Sequence, residues 1–198
     1  AAQIQGGLAD SDRLVISVMA GVPARRVQSA LGPRLRVTRA MPNTAAAVRQ
    51  SMTALARGPG ATQADLARTE ALFAAIGQTV HIDESQMDAA TAVVGSGPAY
   101  VFLLAEAMTH GAKEVGFDDR TADAMVRGTI LGAAAMLAQH AELSPAELRA
   151  RVTSKGGTTA AAIQVLDQEG FVQAQSRAIV AARDRGRELA QLDPKAGG

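Results

Sequence analysis

The sequence predicts an α/β segment over residues 1–84 followed by an all-helical segment over residues 85–198. Short β-branched runs alternate with helical patterns as far as Ile82, and no strand pattern follows it. Such alternation is the mark of a layered sheet with crossover connections. Of the 198 residues 47% are hydrophobic and only 3% aromatic. Alanine alone supplies 43 of them, a composition suited to helices that pack with their backbones close together.

The strands and helices of the first segment follow from local pattern. Residues 14–18 (LVISV) read as a short buried strand. AGVP then turns the chain into a helix over 24–31, which Gly32-Pro33 ends. Over 34–39 charged residues alternate with Leu35, Val37 and a small polar Thr38, as in a half-buried strand. Met41-Pro42-Asn43 stops it, because proline has no N–H for the ladder. A further strand is expected over 51–58. Thr62 caps a helix that Gly77 ends, and 78–82 form a last short strand.

The second segment is expected to be helical over 84–94, 98–115 and 118–140. Gly95-Ser96-Gly97 should break the run, with Pro98 at the first position of the next helix. Gly128 and Gly132, four apart and followed by three alanines, leave room for another backbone to approach. Ser144 and Glu147 have capping-box spacing, opening a helix that runs to Val152. Two more helices should follow, one after TSKGGTT (153–159) and one over 171–192, with a frayed tail.

Charge and composition exclude several function classes. Twenty Lys+Arg stand against nineteen Asp+Glu, so no strongly basic nucleic-acid surface is expected, and there are few aromatics on which bases could stack. The basic run Arg183, Arg185, Arg187 is interleaved with Asp184 and Glu188 and reads as a solvated helix face. Without cysteine there is no disulfide framework, thiolate zinc site, iron–sulfur cluster or cysteine nucleophile. His81, His110 and His140 are scattered, so no metal site is expected. The uncharged stretch 89–105 is 17 residues long. A spanning helix needs about 20, and glycines and a proline interrupt this one. The expectation is a soluble, cytoplasmic protein without membrane contact. Neither an initiator Met nor a signal peptide opens the chain.

Three stretches could carry chemistry. In Thr153-Ser154-Lys155-Gly156-Gly157-Thr158-Thr159 the glycines permit a tight turn, and the amides after them point out of a helix N-terminus. Free N–H groups and the positive end of the helix dipole suit a carboxylate or phosphate. The same residue types are also ordinary helix caps, and local sequence alone favours that plainer reading. Met41-Pro42-Asn43 follows a strand, where ligands of open α/β sheets collect, and is equally a simple turn. Ala20-Gly21, after the first strand, occupies the same kind of place.

Taken together, VISVMAGV (15–22), RAMPNTAA (39–46), AVVGSGPAYVF (92–102) and VTSKGGTTAAAIQVLDQEGF (152–171) resemble the pyrroline-5-carboxylate reductase family in order and spacing. The resemblance implies the remainder of a Rossmann-type dinucleotide-binding domain (1–84) followed by a helical dimerisation and substrate-binding domain (85–198). It implies hydride transfer from NADPH or NADH to the C=N bond of 1-pyrroline-5-carboxylate, giving L-proline. It further implies a homodimer, which can assemble into rings of dimers, with each site built partly by the partner subunit. By the same resemblance Ser154, Gly156, Gly157, Thr158 and Thr159 bind substrate, and Thr159 touches the ring nitrogen as the catalytic contact. Ala20, Gly21, Met41, Pro42 and Asn43 line the nicotinamide side.

Two departures stand out. Lys155 occupies a position where the family commonly has proline. The G-x-G-x-x-G turn that holds the cofactor pyrophosphate is absent, so the chain is expected to begin partway through the nucleotide domain. Two alternatives remain: a non-catalytic helical dimerisation fragment, or another reductase with a Rossmann and a helical domain. For the latter, Lys113 in HGAKEVG lacks the G-x-x-x-K spacing of the β-hydroxyacid dehydrogenases.

Overall fold

A computed structural model describes residues 12–191. The chain divides into two compact units, one running to Pro98 and resuming at Arg177, the other spanning Ala99–Ser176. The frayed tail expected after 192 and the residues before 12 lie outside the described residues.

The first unit is built on four strands, β1 (Leu14–Ser17), β2 (Arg36–Met41), β3 (Ser51–Arg57) and β4 (Gly77–His81), in that spatial order. The expected crossovers are present: helix α1 (Ala24–Leu31) links parallel β1 and β2, and α2 (Gln63–Phe73) links parallel β3 and β4. Between them β2 and β3 run antiparallel, joined by a 3-10 turn over Thr44–Val48. The sheet is therefore mixed.

The expectation that β2 is half-buried is wrong. Every residue from Val37 to Met41 is buried. Alternate side chains leave opposite faces of a strand, and here both faces are covered. Val37 packs with Ala24, Val27 and Leu31 of α1, whereas Ala40 packs with Leu55 and with Leu66 and Phe73 of α2. Thr38, between them, shares a hydroxyl–hydroxyl hydrogen bond of 2.8 Å with Thr69 of α2, which donates in turn to the Asp65 carbonyl. At the carboxyl end Met41 joins Ala54, Ala56 and Met87 in a third cluster.

Helix α2 begins with the Thr62 cap, reciprocated by Asp65 in a capping box. The Asp65 carboxylate is 3% exposed and also accepts from Arg36 at 3.0 Å. The Thr62 N–H holds this carboxyl below the ordinary range more strongly than burial pushes it up, with the Thr62 hydroxyl and Arg36 adding to the lowering. A depressed folded-state pKa stabilises the fold above the ordinary carboxylate value of about 3.9, and that stability is lost as pH falls below it. Asp65→Asn should therefore cost about 2 kcal/mol at pH 7. Urea unfolding of both chains should show the difference shrinking as the medium is acidified past pH 4.

Past Asp83 the strands end, as expected, but the break at 95–98 is narrower than the glycines suggest. Helical backbone begins at Glu84 as a 3-10 turn, continues as the short α3 (Met87–Ala90) and widens into a π turn over Thr91–Gly95. Ser96 keeps right-handed helical angles, and α4 (Gly97–Glu114) starts one residue earlier than expected, which makes Pro98 its second residue. The run Glu84–Glu114 is long and apolar enough, by length and composition, to cross a membrane.

The second unit carries the body of α4, then α5 (Asp119–Gln139), α6 (Pro145–Arg151), α7 (Thr158–Gln168) and the start of α8 (Phe171–Gln191). Asp118 caps α5, and the Ser144–Glu147 capping box opens α6 as the spacing predicts. Within Ala99–Ser176 the buried apolar side chains are Ala122, Val126 and Leu148. Phe102, Leu103 and Leu131 are instead more than 60% exposed, and nothing lies within 4 Å of a Cβ built on Gly128 or Gly132. The close backbone approach expected at those glycines is thus not made among the described residues. Large apolar side chains left exposed in such number suit an interaction surface.

Candidate functional site

The predicted site residues fall on both units. In the first, β1 and β2 deliver two loops at their carboxyl ends. Gly21 has φ +67°, and a Cβ there would meet Leu189 Cβ at 3.2 Å, so both backbone and space call for glycine. Ala20 beside it is exposed. After Met41 and Pro42, Asn43 caps the 3-10 turn: its Oδ1 accepts from the Ala45 N–H at 3.1 Å, and its own N–H donates to Ser51 Oγ at 3.1 Å. The remaining Asn43 donor, Nδ2, reaches the Val94 carbonyl in the π turn at 3.2 Å. That turn leaves the regular hydrogen-bond ladder, and such turns are frequent at functional sites.

Sequence reasoning missed the residues behind the first loop. Arg39 is only 4% exposed in the middle of β2. Burial lowers its pKa, opposed by Glu84 and then Asp88, and the guanidinium stays charged. A cavity of about 390 Å³ is lined by Arg39, Glu84, Asp88, Arg25 and Gly21 among others. The available signal was an arginine in a strand otherwise free of charge from Val37 to Met41.

In the second unit the TSKGGTT turn is built as its residues suggest. Gly156 has φ +72°, left-handed backbone that glycine adopts without strain. Gly157 is the N-cap of α7, and its N–H donates to the Ser154 carbonyl at 3.1 Å. A Cβ on Gly157 would collide with Ser154 Oγ. The first bond of the helix runs from Ala161 to the Gly157 carbonyl at 3.2 Å. The N–H groups of Thr158, Thr159 and Ala160 are therefore the ones the helix leaves unmatched. Thr158 is exposed, Thr159 half-buried, and Lys155 exposed. Three unmatched amides at a helix N-terminus, two of them on Thr158 and Thr159, suit an anion.

Lys113, the one lysine weighed as a catalytic acid, forms an exposed ion pair with Asp119 at 2.7 Å. Among the described residues no group of three or more His, Asp or Glu could hold a metal ion.

A family profile described as pyrroline-5-carboxylate reductase dimerisation matches residues 84–189, more than half of the chain. The chain belongs to the pyrroline-5-carboxylate reductase family. It is 40% identical over 178 residues to pyrroline-5-carboxylate reductase 2 of Bacillus subtilis, covering 90% of this chain and 64% of that one. It is 42% identical over 179 residues to pyrroline-5-carboxylate reductase of Methanosarcina acetivorans, covering 90% and 66%. Among solved structures, a pyrroline-5-carboxylate reductase of Coxiella burnetii superposes with a TM-score of 0.88 at 35% identity, covering 96% of this chain and 70% of that one. A pyrroline carboxylate reductase of Plasmodium falciparum, solved with NADP bound, gives 0.86 at 25% identity, covering 96% and 75%. The chain spans about two thirds of the length of the reductases it matches in sequence. Within this family the four-stranded sheet corresponds to part of a Rossmann-type domain, and the helical residues 84–189 match the dimerisation profile.

Proposed function

We propose that the protein reduces the C=N bond of 1-pyrroline-5-carboxylate to L-proline with NADPH or NADH, the last step of proline biosynthesis. The observation that carries this reading is the TSKGGTT turn, which opens a helix whose first three amides are unmatched, inside a chain of this family. The N–H groups of Thr158, Thr159 and Ala160 hold the substrate carboxylate. Ser154, Gly156 and Gly157 shape the turn, the Gly157 N–H being spent on Ser154. Thr159, the catalytic contact, steers the ring nitrogen. A neutral hydroxyl is a poor acid at neutral pH, so its part is orientation rather than proton donation.

The residues at the ends of β1 and β2 suit a nicotinamide. Ala20, Gly21, Met41, Pro42 and Asn43 are small or uncharged, and Gly21 leaves the loop backbone bare. When bound, the dinucleotide supplies the hydride. The protein's own task is to orient the pyrroline ring and to hold its carboxylate.

The boundary between nucleotide and helical domains falls at 84/85 in this reading. The exposed apolar faces of α4 and α5 are covered by a second copy, forming a homodimer that can build rings of dimers. The long apolar run Glu84–Glu114 then faces protein rather than lipid, and the protein is cytoplasmic. Light scattering without detergent should show a dimer or a multiple of it; a monodisperse monomer contradicts this assembly. The activity test is NAD(P)H oxidation on adding pyrroline-5-carboxylate, run on the 198-residue chain and on the chain extended upstream in its reading frame. Turnover in either supports the reading. Folded, dimeric and inactive protein in both favours a non-catalytic dimerisation module.

A further inference from the structure

We infer that Arg39, together with Glu84, is a positioning residue that holds the Met19–Val22 loop in place for the dinucleotide; this rests on the reductase reading above. The loop needs an outside support. Ala20 and Gly21 form a turn, and among the described residues no backbone–backbone hydrogen bond of good geometry ties Met19, Ala20, Gly21 or Val22 to the rest of the unit. Its own anchor is a single long contact, from the Met19 N–H to Ser17 Oγ at 3.5 Å.

Two side chains from elsewhere in the unit secure both of its ends. Arg39 Nη2 donates to the Met19 carbonyl at 3.1 Å. Glu84 Oε1 accepts the Ala24 N–H at 2.6 Å, across 60 residues of sequence. Ala24 opens α1, and Pro23 before it supplies no side-chain cap, so a distant carboxylate takes that role at the positive end of the helix. The same Glu84 oxygen lies 3.9 Å from Arg39 Nη1, which joins the two supports through one ion pair. Between them Gly21 lies so near α8 that an added Cβ would meet Leu189 Cβ at 3.2 Å and the Gly186 carbonyl at 3.3 Å.

An arginine fits this task better than an apolar residue of equal size. Its planar fork can bond a carbonyl and face a carboxylate together, while its stem packs in the sheet. Leaving the Met19 carbonyl unpaired frees the loop without removing any residue that lines the nicotinamide side.

The test compares Arg39→Met and Arg39→Lys with wild type by amide hydrogen exchange and by turnover. With Arg39→Met, exchange at the Met19 and Ala24 amides, the two in this stretch that donate to side chains, should rise about tenfold, the scale of one charge-assisted hydrogen bond, while β3 keeps its protection. KM for NADPH should rise by a similar factor with kcat changed less, and Arg39→Lys should recover part of both. Loop exchange at the wild-type rate, or a loosened loop with unchanged KM, overturns the inference. Loss of β3 protection in step with the loop assigns Arg39 a merely structural role and also overturns it. Should Arg39→Met fail to fold, the half-exposed Glu84→Gln carries the same comparison. Wild-type turnover, measured on the same samples, reports separately on the reductase reading, and the exchange arm does not depend on it.

Discussion

Gly77→Ala is expected to destabilise the first unit by about 3 kcal/mol or more, the range reserved for backbone strain and overpacking. Gly77 opens β4 with φ +149°, and it pairs with Ser51 at the start of β3. A Cβ added there falls on the Ser51 backbone, inside contact distance of the carbonyl oxygen and 2.5 Å from the nitrogen. Neither atom can rotate away as the end of a side chain could. The sheet must either move β4 off β3 or surrender the pairing between them. Gly97→Ala is a useful control, because nothing lies within 4 Å of its Cβ and the residue is helical. That change should be neutral or stabilise by about 0.5–1 kcal/mol through helix propensity. Urea titrations followed by circular dichroism separate the two, and a wild-type midpoint for Gly77→Ala would refute the steric argument.

Thr159→Val is expected to lower kcat/KM for pyrroline-5-carboxylate by about 10–100-fold, the scale of a hydrogen bond to a charged or charge-developing group. Valine keeps the shape and the branching of threonine, so α7 and its cap should persist. The Thr159 amide remains and can still hold the carboxylate. What disappears is the hydroxyl, for which no hydrogen bond is found among the described residues. The dimer and the thermal midpoint should be unchanged. Unaltered kinetics would remove Thr159 from the mechanism and leave the turn as a helix cap.

Local features of the fold were legible, and distant ones were not. Thr62 and the Ser144–Glu147 pair are readable as caps in sequence and cap their helices in the structure, because a cap is a contact between residues three apart; the reciprocal Asp65 bond and the Asp118 cap came only with the coordinates. The strand–helix order was readable for the same reason. The antiparallel pairing of β2 with β3 was not, since it depends on how the chain returns after Asn43. Charges at Arg36 and Arg39 suggested a solvent face for β2. Arg36 instead reaches Asp65 of α2, and Arg39 reaches Met19 and Glu84. Arginine is tolerated inside when its donors are met, and that satisfaction comes from residues far along the chain. Within the candidate site the glycine turn was readable from its residues, whereas the spent Gly157 N–H and the two-ended loop support required coordinates.

The most direct measurement follows the hydride itself. Pyrroline-5-carboxylate is incubated with the upstream-extended chain and NADPH deuterated at the transferred position of the nicotinamide, and the product is examined by mass spectrometry and NMR. The expected product is L-proline carrying one deuterium at its δ carbon, the carbon of the former C=N bond. Folded, dimeric protein that yields no labelled proline with either NADPH or NADH would contradict it.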